Sequence, residues 1–165
     1  MALILTRKQE DILEAILELQ SIDKQSKAFI PVSEVVQKVA RTSIGEISHS
    51  AILNTIVRVL STNRAVPCQP AKTGVLLEFE PYKGVRLNPM GTCHGLRLLR
   101  KKRLAECLLV DLFDFTLDEA AREACLLEHQ MSDAVADKIE AVLGKPSFCP
   151  HGMPIPVRPL MDSNS

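Results

Sequence analysis

The segment Val75-Leu76-Leu77-Glu78-Phe79-Glu80-Pro81-Tyr82-Lys83-Gly84-Val85-Arg86-Leu87 decides how the rest of the chain folds. Val75, Leu76, Leu77 and Phe79 read as a strand, Pro81 to Gly84 as a turn, and Val85 to Leu87 as a return strand. Upstream, Thr6-Arg7-Lys8-Gln9 has the form of a capping box. Ile12, Leu13, Ile16, Leu17 and Leu19 follow at helical spacing, which predicts a first helix to about Gln20. Residues 21–31 are polar, and Pro31 precedes a short helix from about Ser33 with Val35, Val36, Val39 and Ala40 on its apolar side. After a break at Thr42-Ser43-Ile44-Gly45, a third helix is expected from about Ser48, with Ala51, Ile52, Ile56, Val59 and Leu60 inward. Two short helices around a glycine-containing turn make a helix-turn-helix, and the hairpin adds a wing. Residues 1–87 are therefore expected to form a winged helix-turn-helix domain.

Downstream, Asn88-Pro89 supplies an N-cap and a residue pre-set for the first helical turn. The helix it opens is predicted to reach about Asp114, through the basic run Arg97, Arg100, Lys101, Lys102 and Arg103. A second capping box, Thr116-Leu117-Asp118-Glu119, opens a helix expected to run through Met131. A last helix covers about Asp133 to Leu143, stopped by Gly144 and Pro146. The tail from Phe148 is too rich in proline for a helix and is expected as an ordered loop or extended arm. The fold class is thus mainly α, with residues 88–165 forming a second, all-helical domain.

The composition is that of a globular protein: of 165 residues, 46% are hydrophobic and 24% charged, enough apolar surface for a packed core. With no Trp and one Tyr, that core must rest on aliphatic side chains. No stretch has the length or apolarity of a signal peptide or spanning helix. The five cysteines (Cys68, Cys93, Cys107, Cys125 and Cys149) are odd in number and scattered, unlike a secreted disulfide framework, so a cytosolic location with reduced thiols is expected. The formal net charge of zero hides a split. Residues 1–103 hold 16 basic against 9 acidic side chains, and residues 104–165 hold 4 against 11. A basic half attracts phosphates, and an acidic half suits cations.

Glu123-Ala124-Cys125-Leu126-Leu127-Glu128-His129 carries the most chemistry. On a helix, Cys125, Glu128 and His129 stand at i, i+3 and i+4 and converge on one face. A thiolate, a carboxylate and an imidazole can ligate a first-row divalent metal. The same spacing also suits a buried cysteine beside a solvated Glu–His pair. No His-Glu-x-x-His motif or nucleophile–base set accompanies the cluster, so no enzymatic activity is expected.

Arg100 to Phe113 (RKKRLAECLLVDLF), Glu123 to Leu143 (EACLLEHQMSDAVADKIEAVL) and Cys149 to Pro156 (CPHGMPIP) closely resemble the DtxR/MntR family of metal-dependent transcriptional repressors. The likeness is tight over residues 88–156 and looser over the winged helix, and it implies a two-domain form without an SH3-like domain. It further implies a homodimer with its seam between Leu104 and Leu143, and a primary metal held between the helix of the Glu–His pair and the first helix. Glu128 and His129 match that pair, and Cys125 matches a ligand position that is cysteine in iron-responsive members. From the first helix, Asp11 and Glu14 match acids of the manganese-type pattern, although both also suit the positive end of a helix dipole. Cys149 and His151 of the Cys-Pro-His loop, with Glu106, match a second site known in some members. That loop equally suits a purely structural role. Two positions depart from the pattern. Lys102 stands where the family has a histidine, and a protonated lysine cannot ligate; Ala121 replaces another histidine of the iron-type ancillary site.

For DNA, the expected reader is the third helix. Ser48, His49, Ser50, Asn54 and Thr55 lie at or near its start, with Arg58 a turn further on. Asn54 falls where the resemblance places a polar base-contacting side chain, while Arg58 and the wing residues Lys72, Lys83 and Arg86 suit phosphates. Together these expectations describe a transcriptional regulator, a repressor of metal-homeostasis genes. It would bind double-stranded operator DNA as a homodimer when Fe2+ or Mn2+ is present. The alternative is the same fold with DNA binding freed from metal by Lys102.

Overall fold

The computed structural model describes residues 5–22, 29–42, 48–57 and 75–159. The chain divides into two compact units, Met1–Gly95 and Leu96–Ser165. Six helices and one hairpin are found among the described residues, and none of those helices is long and apolar enough to cross a membrane.

In the first unit α1 (Arg7–Ile22) packs against α2 (Val32–Thr42), α3 (His49–Thr55) follows, and the hairpin β1 (Leu77–Glu80) with β2 (Gly84–Leu87) forms the wing. The Gln9 side chain accepts from the Thr6 N–H at 2.7 Å, which starts α1 where the capping pattern put it. Ser48 caps α3 by accepting from the Ala51 N–H. Most of the expected apolar stripes face inward: Ile12, Leu13, Ile16, Val35, Val39, Ile52 and Ile56 are buried, Leu19, Val36 and Ala51 are half-buried, Ala40 is exposed, and Val59 and Leu60 lie outside the described residues. Burying each such side chain contributes roughly 1.5–3 kcal/mol.

The strands pair antiparallel, Leu77 opposite Leu87 and Glu80 opposite Gly84. The turn between them is closed by the Lys83 N–H donating to the Glu80 carbonyl at 3.2 Å. Pro81 and Tyr82 are its central residues, and Tyr82 has φ +66°, a left-handed conformation that favours glycine or asparagine. Beyond the turn, Ile30 and Val85 exchange two backbone hydrogen bonds at 2.7 and 2.9 Å, which extends the hairpin by one rung toward α2. That rung requires Gly84. Its φ is +116°, and a Cβ there would lie 2.0 Å from the Ile30 carbonyl oxygen. Asn88 then begins α4 (Pro89–Phe113), accepting from the Gly91 N–H and donating to the Val75 carbonyl, both at 2.8 Å. Gly91 sits so close to the Leu76 carbonyl (1.9 Å for an added Cβ) that the first turn of α4 is packed on the hairpin. This is why the first unit extends past the Asn88-Pro89 helix start.

In the second unit α4 continues and is followed by α5 (Leu117–Leu127) and α6 (Asp133–Val142). The Thr116–Glu119 capping box is fully formed, and hydrogen bonds from Thr116 hold the Glu119 carboxyl below its usual range. The helix expected through Met131 stops at Leu127, and residues 128–130 form a turn. The reason is local: the Gln130 and Met131 N–H groups both turn back to the Leu127 carbonyl, so the ladder tightens and ends. Ala105, Leu109, Ala120 and Ala124 form a buried cluster, with Val110, Phe115 and Met131 against it.

The basic run of α4 is not the free phosphate-attracting surface that the charge split suggested. Arg97 and Lys101 hold Asp133, and Arg100, itself almost fully buried, bonds Asp137 and Glu140 at 2.9 Å each. Arg158 reaches Asp137 from the tail. The acids of α6 therefore neutralise much of this basic face within one unit.

Two outcomes follow. Gly84→Ala is expected to lower the unfolding free energy by about 3 kcal/mol, measured by urea denaturation, because it breaks the Ile30–Val85 rung. Asp133 provides a pH signature. Partial burial raises its affinity for a proton, but hydrogen bonds from Arg97 and Lys101 outweigh that and hold the carboxyl below its ordinary value. Its stabilisation is thus complete above about pH 4, the unfolded aspartate value, and is lost as pH falls through the lower folded value. Asp133→Asn should destabilise at pH 7 and flatten the acid limb of the stability curve.

Candidate metal centres

The capping box at Thr116 sets the register of α5, and with it the direction of Cys125, Glu128 and His129. The Glu128 N–H still donates to the Ala124 carbonyl at 2.9 Å, so the helical phase persists one residue beyond α5. The three side chains converge. One ligand atom from each lies within 4.8 Å of the other two, and the His129 Nε2 is 3.4 Å from the Glu128 Oε1. Glu128 is 0% exposed, Cys125 7%, and the His129 side chain 3%. The reading of these residues as a buried cysteine beside a solvated Glu–His pair therefore fails. An ionised carboxylate so deep needs positive charge or hydrogen-bond donors around it. A buried thiol, carboxylate and imidazole fit a first-row divalent ion.

The second cluster has a different origin. Glu106, on α4, is buried; Cys149 and His151 come from the proline-rich tail, which is an ordered loop rather than a free arm. Their ligand atoms also lie within 4.8 Å of one another, with the His151 Nδ1 3.4 Å from the Glu106 Oε2. Backbone bonds build the loop. The Cys149 N–H donates to the Met153 carbonyl, the Gly152 N–H to the Cys149 carbonyl, and the Ile155 N–H to the Ser147 carbonyl, at 2.8, 2.8 and 2.9 Å. Two α4 side chains hold it down. Arg103 donates to the Pro154 carbonyl, and the Cys107 thiol to the Phe148 carbonyl at 3.7 Å. Burial, reinforced by the negative charge of Asp111, Cys149 and Glu106, pushes the Cys107 thiol up to about 11. It stays a protonated donor at neutral pH.

Sequence reasoning missed Arg103 and Cys107. The available signal was their spacing from Glu106: positions 103, 106 and 107 share one face of α4, a polar stripe in an apolar helix. Among the remaining expected residues, Asp11 and Glu14 are buried on α1. On α3, Ser48, His49, Ser50 and Asn54 are exposed, whereas the Thr55 hydroxyl donates to the Ala51 carbonyl at 2.8 Å. Arg58 and Lys72 lie outside the described residues. The wing cations are engaged within the hairpin: Arg86 bonds Glu78 through Nε and Nη2 at 2.8 and 2.6 Å and covers the Phe29 ring, and Lys83 pairs with Glu80 at 2.5 Å.

Residues 88–157 match the family described as iron dependent repressor, metal binding and dimerisation domain. Over 81 residues the chain is 38% identical to the iron-dependent repressor IdeR of Mycobacterium leprae (strain TN), covering 49% of this chain and 35% of that protein. It superposes on the manganese regulator SloR with a TM-score of 0.69 at 27% identity, covering 96% of this chain and 65% of SloR. A manganese-dependent transcriptional repressor in complex with manganese gives a TM-score of 0.68 at 27% identity, over 90% of this chain and 58% of that one. Residues 88–157 thus belong with the metal-binding and dimerisation domains of iron-dependent repressors, and most of the chain is similar in fold to metal-dependent transcriptional regulators. It spans about a third of the length of the curated relatives it matches.

Cobalt(II) provides a direct test of both clusters, because a thiolate ligand gives a ligand-to-metal charge-transfer band. One band-forming equivalent is expected per cluster. Cys125→Ser or His129→Ala should remove one and Cys149→Ala the other; a titration that none of these variants changes would dismiss both sites.

Proposed function

We propose that the protein is a metal-dependent, DNA-binding transcriptional regulator, a repressor of metal-homeostasis genes that responds to Fe2+ or Mn2+ and acts without enzymatic chemistry. The observation that carries this reading is the buried Cys125–Glu128–His129 cluster inside the segment that matches a repressor's metal-binding domain. Asp11 and Glu14 are proposed as further ligands of the same ion, and Glu106, Cys149 and His151 as ligands of a second. Thiolates in both clusters favour iron over manganese, while the carboxylates accept either. A bound divalent ion supplies positive charge to the clustered acids.

The chain's own residues supply the rest. On α3, the exposed Ser48, His49, Ser50 and Asn54 are proposed to face base edges in the major groove, Asn54 by pairing with adenine. Thr55 and Arg58 are kept as lesser contacts. Two copies pair to read a palindromic operator. An apolar depression of about 390 Å3 lined by Leu108, Ala134, Val135, Lys138, Ile139 and Val142, with Val135 and Val142 exposed, supports that pairing. Metal and operator must then each tighten the binding of the other by the same factor.

The rival reading, DNA binding independent of metal, is favoured by Lys102 at an expected histidine position. Gel shift on the promoter of the chain's own gene, titrated with Fe2+ or Mn2+ against a chelator, separates the two. A metal-dependent shift is expected, abolished in His129→Ala. A shift that survives the chelator would establish the rival.

A further inference from the structure

Behind the second cluster stands a thiol that the ligand set leaves unused. Cys107 follows Glu106 on α4, is 2% exposed, and turns its Sγ to the Phe148 carbonyl, 3.7 Å away. That carbonyl belongs to the peptide group leading into Cys149, itself buried at 5%. Standard peptide dimensions place the next Cα about 2.8 Å from a carbonyl oxygen, so the Cys107 sulfur lies within about 6.5 Å of the Cys149 Cα. The Cys149 sulfur lies in turn within 4.8 Å of a carboxylate oxygen of Glu106, the residue before Cys107. The charge of Cys149 is also among the causes that tighten the Cys107 proton. A thiol is a weak donor, and a hydroxyl would serve a carbonyl better, so tethering the loop does not account for sulfur here. Two buried thiols thus meet at one seam between a helix and a loop. The His151 side chain beside them is 38% exposed, which leaves the seam open to a small solute.

We infer that Cys107 and Cys149 are a redox pair that joins as a disulfide when the protein meets a peroxide, and that this bond disarms the second cluster. Peroxide converts the Cys149 thiol to a sulfenic acid and releases water. The Cys107 sulfur then displaces the sulfenic hydroxyl, which leaves with the Cys107 proton as a second water. The two sulfurs lose two electrons, and the peroxide gains them. A disulfide spans Cα atoms about 4.4–6.8 Å apart, a range that side-chain rotation and a small loop shift reach from this seam. Sulfur bonded in this way is no longer a thiolate, the form that ligates. Ligation and oxidation of Cys149 therefore exclude each other. That exclusion rests on the second-site reading above; the disulfide itself does not.

The metal-free full chain, treated with hydrogen peroxide, alkylated and digested without reductant, should yield a cross-linked peptide joining Cys107 to Cys149 that dithiothreitol separates. Cys107→Ser keeps a hydroxyl donor for the Phe148 carbonyl and should unfold at a similar midpoint, yet its Cys149 should run on to sulfinic acid. Zinc(II), which has no redox chemistry, should slow cross-linking roughly tenfold at ten times its dissociation constant, since only the unligated thiol reacts. After oxidation and removal of peroxide, the Cys149-dependent cobalt band should be missing, and dithiothreitol should restore it. Cross-links confined to other cysteine pairs overturn the inference. So does a wild-type Cys107 that stays open to alkylation while Cys149 reaches sulfinic acid. Absence of a Cys149-dependent cobalt band before oxidation overturns the second-site reading and the exclusion built on it, and the disulfide is then decided by the peptide masses alone.

Discussion

A carboxylate with none of its surface open to solvent is the constraint around which the second unit is organised. Glu128 holds its charge there only with compensating charge or donors around it, and a thiol and an imidazole are among its neighbours. Everything that fixes its position is conventional helix chemistry. Thr116 and Glu119 cap each other, the alanines at 120 and 124 turn inward, and the helix ends at Leu127, between Cys125 and the Glu128–His129 pair. Charge, not shape, distinguishes this helix end from an ordinary one.

Much of this was legible in the residues themselves. The Thr116 capping box, the Asn88-Pro89 helix start, the hairpin and the inward stripe Ile12–Leu13–Ile16 all follow from local rules, because propensity, capping and periodicity agree at those points. The convergence of Cys125, Glu128 and His129 was legible for the same reason: it needs one helical repeat and nothing more. Resemblance, rather than spacing, was what connected Glu106 with Cys149 and His151, since more than forty residues separate them and no periodicity spans that distance.

What escaped was tertiary. The basic residues of α4 were counted toward a phosphate-attracting half because nothing local announces that Asp133, Asp137 and Glu140 stand opposite them. The end of α5 was misplaced because residues 128–131 continue an acceptable helical sequence, and only the observed turn-back of Gln130 and Met131 ends it. The first unit's claim on the start of α4 depends on how closely Gly91 approaches Leu76, a distance with no sequence signature beyond a glycine.

The loop from Ser147 to Ile155 draws its shape from amide-to-carbonyl bonds closing on themselves, with Arg103 and Cys107 gripping carbonyl oxygens instead of side chains. None of those bonds is made by the side chains of residues 149 and 151. Donor atoms at those two points are therefore presented by a scaffold built from other groups, and the proposed ion site there is a fitting on a separately made mount.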